Sequence, residues 1–346
     1  MNGPALTAPA NVEQLEDALS APTPGVIDAL QRLDGDLLVL GVGGKMGPTL
    51  ARMAVRATQA AGNRRRVIGV SRFSSANLRE RLERWGVETI ACDLLQEEQV
   101  RELPECPQVL VMTGMKFGTS TNPALSWAMN CYVPALICGR YRQSRIAAFS
   151  SGNVYGLVPR DSGGSVETDA PRPVGEYAIT VLGRERMYEY FSREWQIPLV
   201  LLRLNYATEL RYGVLVDLAH KVFREEICDV GMGFVNVIWQ RDANALALQS
   251  LAHAAVPPLV LNIAGPEILR IRDVLNELGR LLDKRVRIEG HEGQDALLNN
   301  ASRSHQLFGL PVTPVADMLQ WTAAWVRQGG DNLGKPTHFE SRDGTF

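Results

Sequence analysis

The stretch DLLVLGVGGKMG, Asp36 to Gly47, decides the fold. Leu37 to Leu40 form a continuous apolar run, which reads as a strand buried on both faces of a parallel sheet. Gly41, Gly44 and Gly47 follow at even spacing, and Leu50, Met53, Ala54, Ala57 and Ala61 then recur at helical intervals. Strand, glycine turn and helix in that order suit an anion. Glycines let the backbone turn sharply, approach a pyrophosphate and pack the helix close to its strand, while the helix N-terminus faces the negative charge. The plainer alternative is a tight turn in any α/β protein.

Outward from this stretch, strand-like and helix-like blocks alternate. Residues 66–70 (RVIGV) read as a second strand, 89–92 as a third, 108–112 (QVLVM) as a fourth, 145–150 (RIAAFS) as a fifth and 198–203 (PLVLLR) as a sixth. Helical patterns fall between them at 77–85, 96–103, 123–136 and 175–195. Such alternation predicts an α/β fold of Rossmann type, a doubly wound parallel sheet whose ligand crevice lies at the carboxyl ends of the strands. Residues 36–205 are expected to form this dinucleotide-binding domain, with later segments returning to it. Residues 206–240 read as irregular. With a strand at 259–263, helices at 271–282 and 315–326 and a strand near 286–288, residues 206–330 predict a smaller C-terminal substrate lobe. Residues 1–35 read as an extension laid on the core, with a helix opened by Thr23 or Pro24. Residues 331–346 form a polar tail, disordered or strapped across the lobe or a partner subunit.

The bulk numbers exclude several classes. A net charge of −2 over 346 residues marks neither a nucleic-acid nor a membrane-surface partner. No apolar run approaches the length of a transmembrane helix, and the N-terminal residues, without Lys or Arg before Arg32, do not read as a signal peptide. The 5 cysteines are odd in number and scattered, as reduced cytoplasmic thiols are, and the 5 histidines show no metal-ligand spacing, so no metal is expected.

Residues with chemistry gather at predicted strand ends. After the second strand a dinucleotide fingerprint ordinarily carries an acid for the ribose hydroxyls. Here Ser71 and Arg72 occupy that place, followed by Ser74 and Ser75. A guanidinium and hydroxyls bind a 2′-phosphate that a carboxylate would repel, which leans the cofactor towards NADP over NAD. Asp93 either accepts from the adenine amino group or caps the following helix. The fifth strand runs into FSSGNVYG, residues 149–156, and Tyr177 opens the long helix. A phenol that gives or takes a proton while hydride moves, and a serine that holds the substrate oxygen, make a coherent pair over a nicotinamide. Asn153, Asn205, Arg211, Tyr212, Asn236, Trp239 and Arg241 are candidate substrate contacts, since rings cover the C–H faces of a sugar while amides and guanidinium take hydroxyls and carboxylate. A lobe–lobe or subunit interface uses the same residue types.

Gly41, Gly44, Gly47, Asp93, Asn130, SSGNVYG and the Tyr177 helix, with Glu185, Arg203 and the VLNIAG segment at 260–265, occur in the order found in the extended short-chain dehydrogenase/reductases. Over roughly residues 36–330 the chain resembles this NAD(P)-dependent epimerase/dehydratase family. The resemblance implies that Gly41, Val42, Gly44, Lys45, Met46 and Gly47 cradle the pyrophosphate, and that Asp93 and Leu94 meet the adenine. It makes Ser151 the catalytic serine and Tyr177 the acid/base, and it implies a homodimer formed through the Tyr177 helix.

Three departures sharpen the expectation. The family's motif lysine, four residues after the tyrosine, is Val181 here. That lysine binds the nicotinamide ribose and favours phenolate by its charge, and a free phenol with a pKa of about 10 is only about 0.1% ionised at pH 7. Proton donation survives such a loss better than oxidation started by a tyrosinate. The loop after the fourth strand, Thr113-Gly114-Met115-Lys116, should border the nicotinamide, so Lys116 either supplies the missing charge or is a solvated loop lysine. Gly152 and Asn153 stand where dehydratases carry acids. The expected function is therefore an NADP- or NAD-dependent oxidoreductase or epimerase acting on a sugar, nucleotide sugar or sugar acid. The alternative is a catalytically impaired dinucleotide sensor or scaffold.

Overall fold

The computed structural model describes residues 8–74, 76–116 and 121–344; Ser75 and the outer ends of the 1–35 and 331–346 segments lie outside them. Its centre is a parallel sheet of seven strands: β1 (Leu37–Leu40), β2 (Val67–Ser71), β3 (Glu88–Ala91), β4 (Gln108–Val111), β5 (Arg145–Ser151), β6 (Leu199–Leu204) and β7 (Leu259–Ile263). The spatial order is β3-β2-β1-β4-β5-β6-β7, and every neighbouring pair runs parallel. The chain therefore reverses its winding between β1 and β4, and a crevice opens at the carboxyl ends of those strands.

Successive side chains of each strand feed opposite faces. Leu37, Val39, Leu110, Ala147, Val200 and Leu202 pack on α2 (Pro24–Arg32), α3 (Gly47–Ala60) and α10 (Gln240–Ser250). Leu38, Leu40, Val109, Val111, Ile146, Ala148 and Leu201 pack on the other face against α7 (Val133–Arg140) and α8 (Gly175–Trp195). Burial on both faces explains why β1 is continuously apolar. In α8 the inward stripe Ala178, Val181, Glu185, Tyr188 and Ser192 follows the helical period, with one carboxylate set among apolar groups.

A separate apolar cluster joins α9 (Val214–Phe223), α11 (Ile271–Leu282) and α13 (Val315–Arg327), with Leu15 and Leu19 from α1 (Val12–Leu19) and Phe339 from the C-terminal segment. Residues 206–240, read from sequence as irregular, in fact contain α9. Val214, Leu215, Val216, Leu218, Ala219 and Val222 are all buried in that helix, so the polar stripe by which a helix is recognised is reduced to a few residues. Thr23 accepts from the Val26 amide at 3.3 Å and opens α2 with Pro24 in its first turn. Among the described residues no helix is long and apolar enough to cross a membrane.

Candidate active site

The glycine turn joins β1 to α3 at the point of winding reversal. Gly41 has φ +83°, a conformation that favours glycine, and a Cβ there would lie 3.0 Å from Thr113 on the neighbouring β4 loop. A Cβ on Gly47 would stand 2.3 Å from the Val42 carbonyl oxygen, so this glycine lets the helix start against the turn. At Gly44 a Cβ would meet only the Gly41 carbonyl oxygen, at 3.5 Å. The turn is thus filled by protein at two glycines and open at the third, which fits a pyrophosphate set against the N-terminus of α3. Val42 is fully buried, so it offers backbone rather than side chain.

Around this turn the structure brings together several of the residues singled out in the sequence. A cavity of about 160 Å³ is lined by Lys45 and Met46 from the turn, Lys116 after β4, Ser151 and Asn153 at the end of β5, Tyr177 in the first turn of α8, and Asn205 and Tyr212. Its volume suits a reacting ring and not a whole dinucleotide, for which sites run from about 300 Å³ upward. The Ser151 hydroxyl accepts from the Asn153 amide nitrogen at 3.3 Å and its side-chain nitrogen at 3.0 Å. With its lone pairs used in this way, the hydroxyl has its proton to give to a substrate oxygen. Asn153 therefore orients Ser151.

Ser150, one residue earlier, points the other way and donates to Glu185 on α8. Glu185 also forms a buried ion pair with Arg203 at 2.7 Å, with side-chain exposures of 0% and 4%. Arg203 donates to the Tyr155 hydroxyl at 2.7 Å, which donates to Asn262 at 2.8 Å. This network ties β5, β6, β7 and α8 together directly behind Ser151 and Tyr177.

A second network fixes the β4 loop. The buried Asn130, in a short π-helical turn (Ala128–Tyr132), accepts from the Met115 amide at 3.3 Å and donates to the Thr180 hydroxyl at 2.8 Å. It also accepts from Arg184, whose Nη1 donates to the Phe149 carbonyl at 2.9 Å. A Cβ at Gly114 would strike the Arg184 guanidinium. Arg184, not singled out in the sequence, thereby supports the loop that carries Lys116. Lys116 donates to the Thr337 carbonyl at 3.1 Å, and Lys45 lies over the Tyr212 ring, 3.0 Å from its centroid. Burial pushes Lys116 down to about 8; burial and the neighbouring Lys116 push Lys45 down to about 7. Val181 is fully buried beside Val154 and Tyr155.

Other candidates take different places. Asp93 accepts from the Leu95 amide at 3.1 Å, closing the turn after β3, and Leu94 is buried. Ser71 abuts Gly43, and Arg72 is exposed beyond it. Four proposed substrate contacts do not line the cavity. Trp239 is buried against Trp321 in the lobe, and Asn236 donates to the carbonyls of Gly265 and Asn299. Arg211 pairs with Glu209 and Glu16, while Arg241 donates to the Ala21 carbonyl and holds the N-terminal segment. Each of these polar groups satisfies a buried partner, as removal from water requires. The cavity wall includes Tyr206, Gln240 and Thr337, which sequence reading did not single out. Thr337 joins through its backbone carbonyl, which leaves no side-chain signature. It also donates twice to Asp217, from its amide at 2.8 Å and from its hydroxyl at 2.6 Å, which holds this part of the tail in the cavity wall.

Residues 37–207 match the model of the NAD-dependent epimerase/dehydratase family. No curated protein sequence matches the chain. Among solved structures, it superimposes on the UDP-glucose 4-epimerase of Thermotoga maritima at a TM-score of 0.66, with 17% identity over 85% of this chain and 99% of that one. The NAD complex of the Thermus thermophilus UDP-glucose 4-epimerase gives 0.68, 18% identity and coverages of 84% and 99%. For the Bacillus cereus UDP-glucuronic acid 4-epimerase with UDP-glucuronic acid and NAD the values are 0.67, 17%, 85% and 99%. At these identities the likeness is one of fold. Through residues 37–207, the chain belongs to the NAD-dependent epimerase/dehydratase family, an enzyme family whose glycine turn and sheet order it carries.

Proposed function

We propose that the chain is a nicotinamide-dinucleotide-dependent oxidoreductase or epimerase of a sugar, nucleotide sugar or sugar acid. One observation carries the reading: Ser151 from β5 and Tyr177 from α8 line the same cavity as the glycine turn. A bound dinucleotide supplies the hydride acceptor or donor. The chain's own residues do the rest. Ser151 donates to the substrate oxygen, Tyr177 moves the proton at that oxygen, and Lys116 supplies positive charge from the β4 loop in place of the absent motif lysine. The lobe around residues 206–330, through Asn205, Tyr206 and Tyr212, closes the substrate side. On this reading Asp93 and Leu94 meet the adenine, and Thr113 and Gly114 border the nicotinamide. The buried Val181 favours one second reading, a dinucleotide sensor or scaffold that binds without turnover.

Titration of the protein with NADH and NADPH, followed by nicotinamide fluorescence, is the test. Binding of either, with reduction of bound NAD(P)⁺ by a sugar or sugar acid, supports the enzyme; binding with no reduction by any of them supports the sensor; binding of neither overturns both. Arg72 beside Ser71 supports an NADP preference. Arg72→Ala is expected to weaken NADPH binding about tenfold, the worth of one charge-assisted contact of about 1.4 kcal/mol, and to leave NADH unchanged.

Trp127, Tyr132, Ile179 and Tyr190 are exposed on α6 (Pro123–Trp127), the π turn and α8. That apolar face supports a homodimer. Sedimentation equilibrium should return twice the chain mass, and Tyr190→Glu should shift it towards the monomer. The free cysteines, all at least half-buried, suit a reducing cytoplasmic location.

A further inference from the structure

One polar group on the cavity wall has no task in the proposed reaction. Gln240, the first residue of α10, is only 3% exposed and lines the cavity together with Met46 and Asn205. Its helix packs on the sheet face opposite α8, so Gln240 and Tyr177 reach the cavity from opposite faces of the sheet.

The sense of its carboxamide follows from the protons available. The Thr49 hydroxyl, buried in the first turn of α3, donates its one proton to the Met46 carbonyl at 3.1 Å. It accepts from Gln240 Nε2 at 3.0 Å and from Asn244 Nδ2, one turn further along α10, at 3.2 Å. One donor and two acceptor places are all that a hydroxyl has, so Thr49 is filled and fixes the nitrogen end of Gln240 towards α3. The oxygen end is left. The Asn244 oxygen is sealed in the interior, whereas no described residue donates to Gln240 Oε1 and that atom is not sealed from the cavity. Asn205 has the same sense. Asn236 donates to the carbonyls of Gly265 and Asn299, so its own oxygen accepts from Asn205 Nδ2 at 2.9 Å and the Asn205 oxygen is left over. The adjoining Tyr206 lines the same wall at φ +41°, a left-handed conformation that is costly for an aromatic residue and is kept where a site over-determines the backbone. This side of the cavity therefore offers neutral acceptors.

We propose that Gln240 is a specificity-determining residue whose Oε1 accepts from one hydroxyl of the substrate ring, other than the one that reacts. The proposal rests on the oxidoreductase or epimerase reading above and adds a residue to its substrate side. A buried oxygen held in this sense separates O–H from its replacements. A deoxy position leaves the acceptor unpaired, and a fluorine turns a second electron-rich atom against it. The dinucleotide, through its carboxamide and ribose hydroxyls, is the other source of donors within the chain's expected chemistry. Thr49 acts only through Gln240: it fixes which end of the carboxamide faces the ligand.

The experiment is calorimetric titration of the full chain, saturated with NADH or NADPH so that no alcohol is oxidised, with UDP-glucose, glucose and their monodeoxy and monodeoxyfluoro analogues. Loss of one particular hydroxyl is expected to weaken binding to the wild type about tenfold, the worth of one buried neutral contact. Gln240→Met keeps the length of the side chain and removes both polar ends. It should bind the parent sugar about tenfold more weakly and the analogue lacking that hydroxyl as the wild type does, while every other analogue loses equally in both proteins. A structural role alone would weaken all ligands in parallel, and that result overturns the proposal. Thr49→Val changes a residue outside the cavity wall and frees the carboxamide to turn, so it should blunt the same discrimination with Gln240 in place. It reads the proposal even where Gln240→Met does not fold, and full discrimination in Thr49→Val overturns it. Weaker dinucleotide binding by Gln240→Met, with sugar affinities unchanged, assigns the oxygen to the dinucleotide and also overturns it, leaving the enzyme reading intact. Failure of every sugar probe on the dinucleotide complex overturns the hydroxyl contact and the substrate class together, whereas failure of both dinucleotides overturns the proposed function.

Discussion

Tyr177→Phe is expected to lower turnover about 10²- to 10⁴-fold, the range that a positioned acid or base contributes, with dinucleotide affinity unchanged. The substitution removes one oxygen and its proton. The ring stays in the first turn of α8, beside Leu182, Val154 and Val181, so the helix and its packing should be untouched. On the proposed mechanism, what disappears is the group that exchanges a proton with the substrate oxygen held by Ser151. Loss in kcat at constant dinucleotide affinity marks an interaction made only in the transition state. An unimpaired variant would remove Tyr177 from the mechanism and leave Lys45 or Lys116 as the proton-transfer group to examine next. Lys116→Met should act differently: it withdraws charge, so it should depress oxidation of an alcohol more than reduction of a carbonyl. Stopped-flow rates in both directions read that asymmetry.

The parts of the fold that were legible in the sequence are those where one physical demand acts alone. Leu37–Leu40 is buried on both faces, so no polar residue interrupts it, and Gly41 and Gly47 stand where a Cβ would strike Thr113 or the Val42 carbonyl. The helix Gly175–Trp195 was legible to its ends for a similar reason, since its inward stripe keeps the helical period even where it carries Glu185. Legibility failed where two demands coincide. Helix α9 is buried on most sides, which erases its amphipathic period. Trp239, Asn236, Arg211 and Arg241 have the interleaved polar and aromatic pattern of a sugar site, but the same pattern arises wherever a lobe must satisfy buried polar groups around a core. Thr337 was beyond reach because it meets Lys116 through a carbonyl that every residue possesses. Arg184 was detectable in principle. A cation seven residues past Tyr177, near the inward face of a helix, is a costly placement that calls for a buried acceptor, which Asn130 and Phe149 provide.

Glu185→Gln is expected to cost about 3–5 kcal/mol of stability, the penalty for leaving a buried charge without its counter-ion. The carboxylate is fully buried and holds Arg203 through two nitrogen–oxygen contacts, at 2.9 and 2.7 Å. A neutral amide keeps the volume and one acceptor oxygen but leaves the guanidinium charge uncompensated in a low-dielectric interior, with the Tyr155 hydroxyl and the Glu167 carbonyl as its other acceptors. The exposed pair Arg32–Asp28, at 2.8 Å, gives the comparison. Water screens both groups there, and Asp28→Asn should cost no more than about 0.5 kcal/mol. Urea unfolding with identical slopes for the two variants reads the contrast directly. The double variant Glu185→Leu, Arg203→Met should recover part of the loss, because no uncompensated charge remains. It should not recover all of it, since Ser150 and Tyr155 each lose a partner. Those two residues connect the energetic argument to catalysis. Ser150 adjoins Ser151 on β5, and Glu185 shares α8 with Tyr177, so on the proposed mechanism the pair is expected to set the spacing between hydroxyl and phenol. Catalytic groups displaced by about 1 Å lose about 10²-fold in rate. The double variant should therefore remain folded and bind dinucleotide while turning over slowly. A double variant with full turnover would show that the pair stabilises the fold without positioning the site.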